Sequence, residues 1–289
     1  MMHTPVRWFR RRSSQQLLMA IGAAGLLLGG AAVIMVPFLW MISTSLKQAG
    51  EVYLMPPIWV PDNPQWVNFV TAWTRLNFSL YASNTFLIVS TVMVGTLFSA
   101  SFAAYGFARL RAPGRDFIFM LLLATLMLPG AVTLVPTYLM FNKVGWVNTF
   151  LPLIVPAFFG NAFYVFLMRQ FYITIPRELE ESAMIDGATI YQIWWHIMLP
   201  LSGPVLATIA VFTFVGTYND FFTPLIYLSD VTMHTIAVAL TYFQGSAKIG
   251  PKMHLLMAAV SISIVPPLVL FLFAQRYFVR GIVTTGIKG

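Results

Sequence analysis

Residue types that could make or break bonds are scarce in this 289-residue chain, and none falls into a catalytic spacing. The four histidines, His3, His196, His234 and His254, are scattered, with no pair at the i, i+4 spacing that lets one helix face hold a metal. No G-x-x-x-x-G-K-[ST] run cradles a phosphate, no H-E-x-x-H offers zinc, and no G-x-S-x-G turn raises a serine. The chain has no cysteine, which excludes disulfides, thiolate metal sites, iron–sulfur clusters and thiol nucleophiles. One acid, Asp220, interrupts a long apolar stretch. An acid at such a place either lines a cavity or is anchored by hydrogen bonds near a helix end, and both readings of Asp220 stay open. Nothing in the chain performs bond chemistry by itself.

The densest group of polar and aromatic residues is Ile175 to Pro204, which reads as helix, turn, helix. Pro176 suits a first helical turn, where its missing N–H costs nothing. Glu178, Glu180 and Glu181 then complement the positive end of the helix dipole. Gly187 can take the positive φ that stops a helix, and Thr189 can cap the next one. Ile190, Ile193, Trp194, Ile197 and Met198 fall on one apolar stripe, with Tyr191, Gln192, Trp195 and His196 off it. Pro200 is expected to end this helix. It is too short to span a bilayer. On the residues alone it either lies in the membrane interface with no partner or presents Tyr191, Trp195 and His196 to one.

The elements that must position this loop are membrane helices. Hydrophobic residues make up 58% of the chain and charged residues 9%, with a mean hydropathy of +0.78. A soluble domain carries about 25% charged residues, so a soluble enzyme or binding module is excluded. Charge-free runs long enough for a core about 30 Å thick recur, giving six expected spans at about 17–45, 79–108, 117–140, 149–170, 201–228 and 255–279. Solid apolar runs exclude a β-barrel. The first run is too long for a signal-peptide core. With the N-terminus inside, twelve of the Lys and Arg residues fall on the inner side and five (Lys47, Arg75, Lys143, Lys248, Lys252) on the outer. Both termini are therefore expected in the cytoplasm, and the loop at about 175–200 with them. Pro129, Pro136 and Pro224 mark candidate kinks. Gly25 and Gly29 form a possible helix-packing face. The net charge of +8 offers nucleic acid only the short Arg7–Arg12 cluster, so no nucleic-acid partner is expected.

Glu181-Ser182-Ala183, three residues, Gly187, nine residues, Ile197-Met198-Leu199-Pro200 resembles the E-A-A-x3-G-x9-I-x-L-P signature of ATP-binding-cassette (ABC) importer permeases, with Ser182 for the usual first alanine. Leu126-Met127-Leu128-Pro129 with Pro136, Tyr218-Asn219-Asp220-Phe221 with Pro224-Leu225-Ile226, and the tail from Arg280-Gly281 to Gly289 resemble the maltose-type carbohydrate branch, where Trp usually replaces Tyr218. The resemblance implies an all-α membrane protein, a single permease domain of six spans with a cytoplasmic coupling loop, the type I importer fold. It implies ATP-driven uptake of a sugar, oligosaccharide or glycerol phosphoester in a bacterial or archaeal plasma membrane. The implied partners are a related second permease, two cytoplasmic ATPase subunits that bind ATP and Mg2+, and an extracytoplasmic binding protein. The chain itself would hold no cofactor and no metal.

Carried onto this sequence, the coupling residues implied are Glu181, Ser182, Ala183, Asp186, Gly187, Tyr191, Trp195, His196, Ile197, Leu199 and Pro200. Gly286 and Lys288 would reach the ATPase subunits from the tail. Tyr218, Asn219 and Asp220 are the candidate translocation-path residues, although the resemblance places sugar contacts mostly on the partner permease. Gln244, Gly245, Ser246 and Lys248 would face the binding protein. The competing class, an ion-coupled secondary transporter or channel, would carry more intramembrane ionisable residues and a repeat of the span pattern. Asp220 alone is available and no repeat is visible.

Overall fold

The structure is a computed structural model that describes residues 14–75, 77–244 and 252–285, with side chains described between 19 and 275. Among the described residues there are helices and turns and no strand. Lipid offers no hydrogen-bond partners, so an apolar run must satisfy its backbone internally, and helix follows. The elements are α1 (Ser14–Ser45), α2 (Val67–Arg75), α3 (Phe78–Arg109), α4 (Arg115–Ala124), α5 (Gly130–Lys143), α6 (Leu151–Ile154), α7 (Ala162–Thr174), α8 (Glu178–Ile185), α9 (Ile190–Ile193), α10 (Leu199–Leu201), α11 (Gly203–Tyr218), α12 (Phe222–Tyr227), α13 (Ile236–Ala239), α14 (Met253–Ser263) and α15 (Val265–Thr285).

Among the described residues four helical stretches are long and apolar enough to cross a membrane: Met19–Ser45, Phe78–Arg109, Leu151–Thr174 and Met253–Gln275. Two bent pairs bring the number to six if each is one span. The expected third span, 117–140, is one of them, since Arg115–Met127 and Gly130–Lys143 meet at 101°. Pro129 lies at the bend, where it brings no N–H to the helical ladder, whereas Pro136 sits inside α5 without ending it. The expected fifth span, 201–228, is also interrupted: α11 ends at Tyr218 and α12 restarts at Phe222, across Asn219–Phe221. The fourth passes through a 3-10 turn at Val155–Phe159 and a Gly160 at φ +80°. The helix expected to stop near 279 continues to Thr285 through Gly281, because one glycine costs a helix only about 1 kcal/mol.

α3 is the central element and threads both hydrophobic clusters. Near Arg109, Ala100, Ala104 and Ala108 recur every fourth residue and let Val165, Met168 and Tyr172 of α7 pack closely. Toward the opposite end, Phe78, Tyr81 and Val89 pack with Phe214 and Tyr218 of α11 and with Leu255 and Ala258 of α14. Between the clusters the 155–159 turn lies against α3. A Cβ on Gly95 would fall 2.6 Å from the Phe158 ring, so glycine is what permits the approach. Ser99 Oγ donates to Ala157 O at 2.8 Å beside it. By contrast the Met19–Ser45 stretch has its apolar window uncovered within the chain, and Gly25 and Gly29 have nothing within 4 Å of a built Cβ.

Candidate functional site

The segment from α8 to α10 folds as a compact helical hairpin whose bonds are largely local. α8 ends in a Schellman arrangement: Gly187 N–H donates to Met184 O at 3.1 Å and Ala188 N–H to Ala183 O at 2.9 Å, with Gly187 at φ +84°. Nothing lies within 4 Å of a Cβ built on Gly187, so its constraint is backbone conformation alone. Thr189 then caps α9 through a capping box. Its Oγ1 accepts from Gln192 N at 3.4 Å, and Gln192 Oε1 accepts from Thr189 N at 2.8 Å.

From Trp194 to Met198 the helix widens into a π turn, and α10 follows. Pro200 therefore does not end the helix. It sits in the first turn of α10, where a missing N–H is tolerated, and the chain turns only at Ser202, by 78°, into α11. The expected apolar stripe is buried at Ile193, Trp194 and Met198, half-buried at Ile197 and exposed at Ile190. Tyr191 and Trp195 are 68% and 52% exposed, and His196 is exposed beside them with its Nδ1 3.1 Å from Gln192 O. Glu181, Ser182, Asp186 and Pro200 are exposed too, whereas Ala183 and Leu199 are half-buried.

Sequence reasoning treated the three glutamates of α8 alike, and they are not. Glu178 and Glu181 face outward, whereas Glu180 is buried and meets Arg109 of α3 at 2.7 Å, with side-chain exposures of 8% and 5%. The Arg109 Nε–H is not aimed along that line, so the pair is a charge contact. The directed hydrogen bonds of Arg109 run from Nη2 to Tyr172 O at 2.7 Å and to Ile175 O. Tyr105 Oη donates to Glu180 Oε2 at 3.4 Å. A second bonded set lies deeper: Trp194 Nε1 donates to Ser101 Oγ at 2.9 Å, which is 2.8 Å from Tyr172 Oη. The hint missed was a glutamate one residue before the signature and an arginine at the last position of an apolar run.

At the opposite end the three residues marked as a path part company. Tyr218 is 4% exposed, stacked on Phe214, and donates its hydroxyl to Ser263 O at 2.8 Å. Asn219 is exposed and turns back to Val215 O at 2.9 Å. Asp220 faces a cavity of about 100 Å³, lined by Thr85, Thr217, Thr223 and Thr235 together with Ile88 and Leu153. Its Oδ1 accepts from Thr223 N at 3.1 Å, so it anchors the restart at α12 while lining that cavity. Thr235 Oγ1, buried at its edge, has no partner. Gln244 is exposed at the end of a 3-10 turn; Gly245, Ser246, Lys248, Gly286 and Lys288 lie outside the described residues.

Among the described residues no three His, Cys, Asp or Glu gather as a metal site. Long apolar helices around a small-residue core, with a capped hairpin held on one end, define a multi-pass membrane protein. Residues 95–284 match the family described as binding-protein-dependent transport system inner membrane component, and the chain belongs to that family. It is 34% identical over 258 residues to the probable ABC transporter permease protein YurM of Bacillus subtilis, covering 88% of this chain and 83% of that one. It is 32% identical over 286 residues to the arabinooligosaccharides transport system permease protein AraQ of Halalkalibacterium halodurans, covering 97% and all of it. The crystal structure of a bacterial ABC transporter that imports alginate aligns with a TM-score of 0.81 at 22% identity over 95% of this chain, the same fold. The chain is thus a permease component of an ABC importer, non-catalytic itself, with ATP hydrolysis carried by partner subunits.

Proposed function

We propose that the chain forms half of a carbohydrate translocation path, paired with a related permease. Two ATPase subunits, binding ATP and Mg2+, dock on residues 175–200, and an extracytoplasmic binding protein engages the opposite end near Gln244. In this reading both termini and the Arg109 end of α3 face the cytoplasm, which the distribution of Lys and Arg supports. The observation that carries the reading is the two-faced α9–α10 helix. Ile193, Trp194 and Met198 seal it to the bundle while Tyr191 and Trp195, large apolar rings, stay exposed beside His196. Exposed aromatics on a short, rigidly capped helix fit a hydrophobic cleft on a soluble partner, since such rings anchor interfaces at little entropic cost. Carbohydrate as cargo is supported by the relative named for arabinooligosaccharide transport. Asp220 and its threonine-lined cavity belong to the path in this reading, and Tyr218 holds α11 against α14.

The test is the purified complex carrying Tyr191→Ala and Trp195→Ala together. Expected is loss of the ATPase subunits on purification with the membrane helices intact, and loss of labelled oligosaccharide uptake in proteoliposomes. Retained ATPase and uptake would remove the docking role.

A further inference from the structure

α3 is one unbroken helix of 32 residues, about 48 Å long at 1.5 Å per residue, without an internal proline to kink it. Toward each of its ends it is bonded to a segment that is not one of the long apolar helices. At one end both helices of the 178–201 hairpin are attached to it: α8 through the buried Glu180–Arg109 pair, and the π turn through Trp194 Nε1 on Ser101. Arg109 is itself held by the Tyr172 and Ile175 carbonyls, so the charge is fixed from two sides. At the far end Asn84 Nδ2 donates to Thr232 O at 2.8 Å and to His234 O at 3.1 Å. One residue on, Thr85 Oγ1 accepts from Ile236 N at 2.9 Å. The 229–244 segment is thereby tied to the same rod.

We infer that Arg109 and Glu180 are positioning residues that lock the 178–201 hairpin onto α3, making that helix a stiff rod between the two partner-facing ends. The inference rests on the hairpin being the ATPase dock. Exposed contacts slip when pulled. A buried ion pair resists, because separating it leaves an uncompensated charge away from water. Glu178 and Glu181 stay exposed and available to a partner, so one helix both receives the push and passes it inward. Coupling of this kind needs contiguous rigid elements, and α3 supplies one running the length of the bundle.

Because the chain has no cysteine, paired labels can be introduced without removing any native thiol. Spin labels at Glu178→Cys and Arg111→Cys, both exposed, report the distance in the assembled importer between the hairpin and the chain two residues past the end of α3. The expected result is one distance, unchanged between nucleotide-free and ATP-bound complex. A distance that changes on ATP binding overturns the inference, whatever the behaviour of any variant. In Glu180→Gln the ATPase subunits should still co-purify, while stimulation of ATP turnover by loaded binding protein falls about fivefold or more, the lower range of typical site-to-site coupling. An assembled Glu180→Gln complex with the wild-type stimulation ratio also overturns it. Asn84→Ala, at the far end, should lower the same ratio with basal turnover retained, and an unchanged ratio there refutes the rod. Failure of the docking reading looks different: ATPase retained by the Tyr191→Ala, Trp195→Ala chain removes that reading, and the rod with it, with Glu180 intact.

Discussion

Two buried cations at opposite ends of the bundle are handled in opposite ways. Arg109 has a carboxylate at 2.7 Å and two backbone carbonyls on its guanidinium. Lys47, just past α1, is fully covered, yet its Nζ has no hydrogen-bond partner and lies 3.8 Å from the centre of the Trp40 ring. Burial pushes the Lys47 pKa below its ordinary 10.5, and Glu51 pulls it part of the way back. A ring face contributes about 0.5–2 kcal/mol to a cation, less than a buried carboxylate whose loss costs about 3–5 kcal/mol. One end of the molecule is built to hold a charge in a fixed geometry. The other tolerates a charge that its fold would be better without.

That contrast is most directly broken by Glu180→Lys, which sets two buried cations face to face. The expected loss is about 3–5 kcal/mol or more, read as severalfold less chain recovered from membranes, with Arg109→Glu restoring part of it in the double variant. Gly187→Val probes the same end through backbone conformation alone, since no neighbour obstructs a Cβ there. A β-branched residue at φ +84° should cost about 1–2 kcal/mol and release or uncouple the ATPase, with Gly187→Asn milder. Thr189→Ala removes one half of a capping box and should cost about 1 kcal/mol, visible as a lower Tm of the purified complex.

Lys47→Met carries the smallest effect, and its sign is reversed. Methionine keeps the apolar contact with Trp40 and removes the unpaired charge, so Tm should rise slightly. The same asymmetry is visible in pH. With its folded pKa lowered, Lys47 binds its proton more readily in the unfolded chain, so stability rises with pH until the unfolded value of about 10.4 is passed. The Tm difference between about pH 8 and about pH 10 should shrink in Lys47→Met, and an equal difference would show that Lys47 is not its source.

Local chemistry was legible in the sequence; long-range pairing was not. Gly187 and Thr189 act within a few residues of themselves, and the Schellman and capping-box bonds follow from types and spacing alone. The partnership of Glu180 with Arg109 spans 71 positions, and no periodicity distinguishes Glu180 from Glu178 or Glu181. Hydropathy located the apolar runs better than their breaks: Leu128-Pro129 interrupts backbone bonding without interrupting apolarity, whereas Asn219–Phe221 carries the one acid that marks its break. Pro200 misled for the reverse reason: a π turn before it changes the bonding register, so the helix passes through.

The right-angled break at Pro129 has a consequence for how the chain is made. At 1.5 Å per residue, the ten residues of α4 reach about 15 Å and the fourteen of α5 about 21 Å, each short of a hydrocarbon layer about 30 Å thick. Neither half can be handed to lipid as a finished unit. With the two halves forming one span, the backbone at Leu128 and Pro129 leaves the helical ladder where lipid supplies no substitute, so it needs protein or a wet crevice beside it. Much of the surface of these two halves is uncovered by the rest of the chain. In the proposed pairing with a related permease, this segment reaches its resting place only when that chain arrives, so that synthesis ends before folding does.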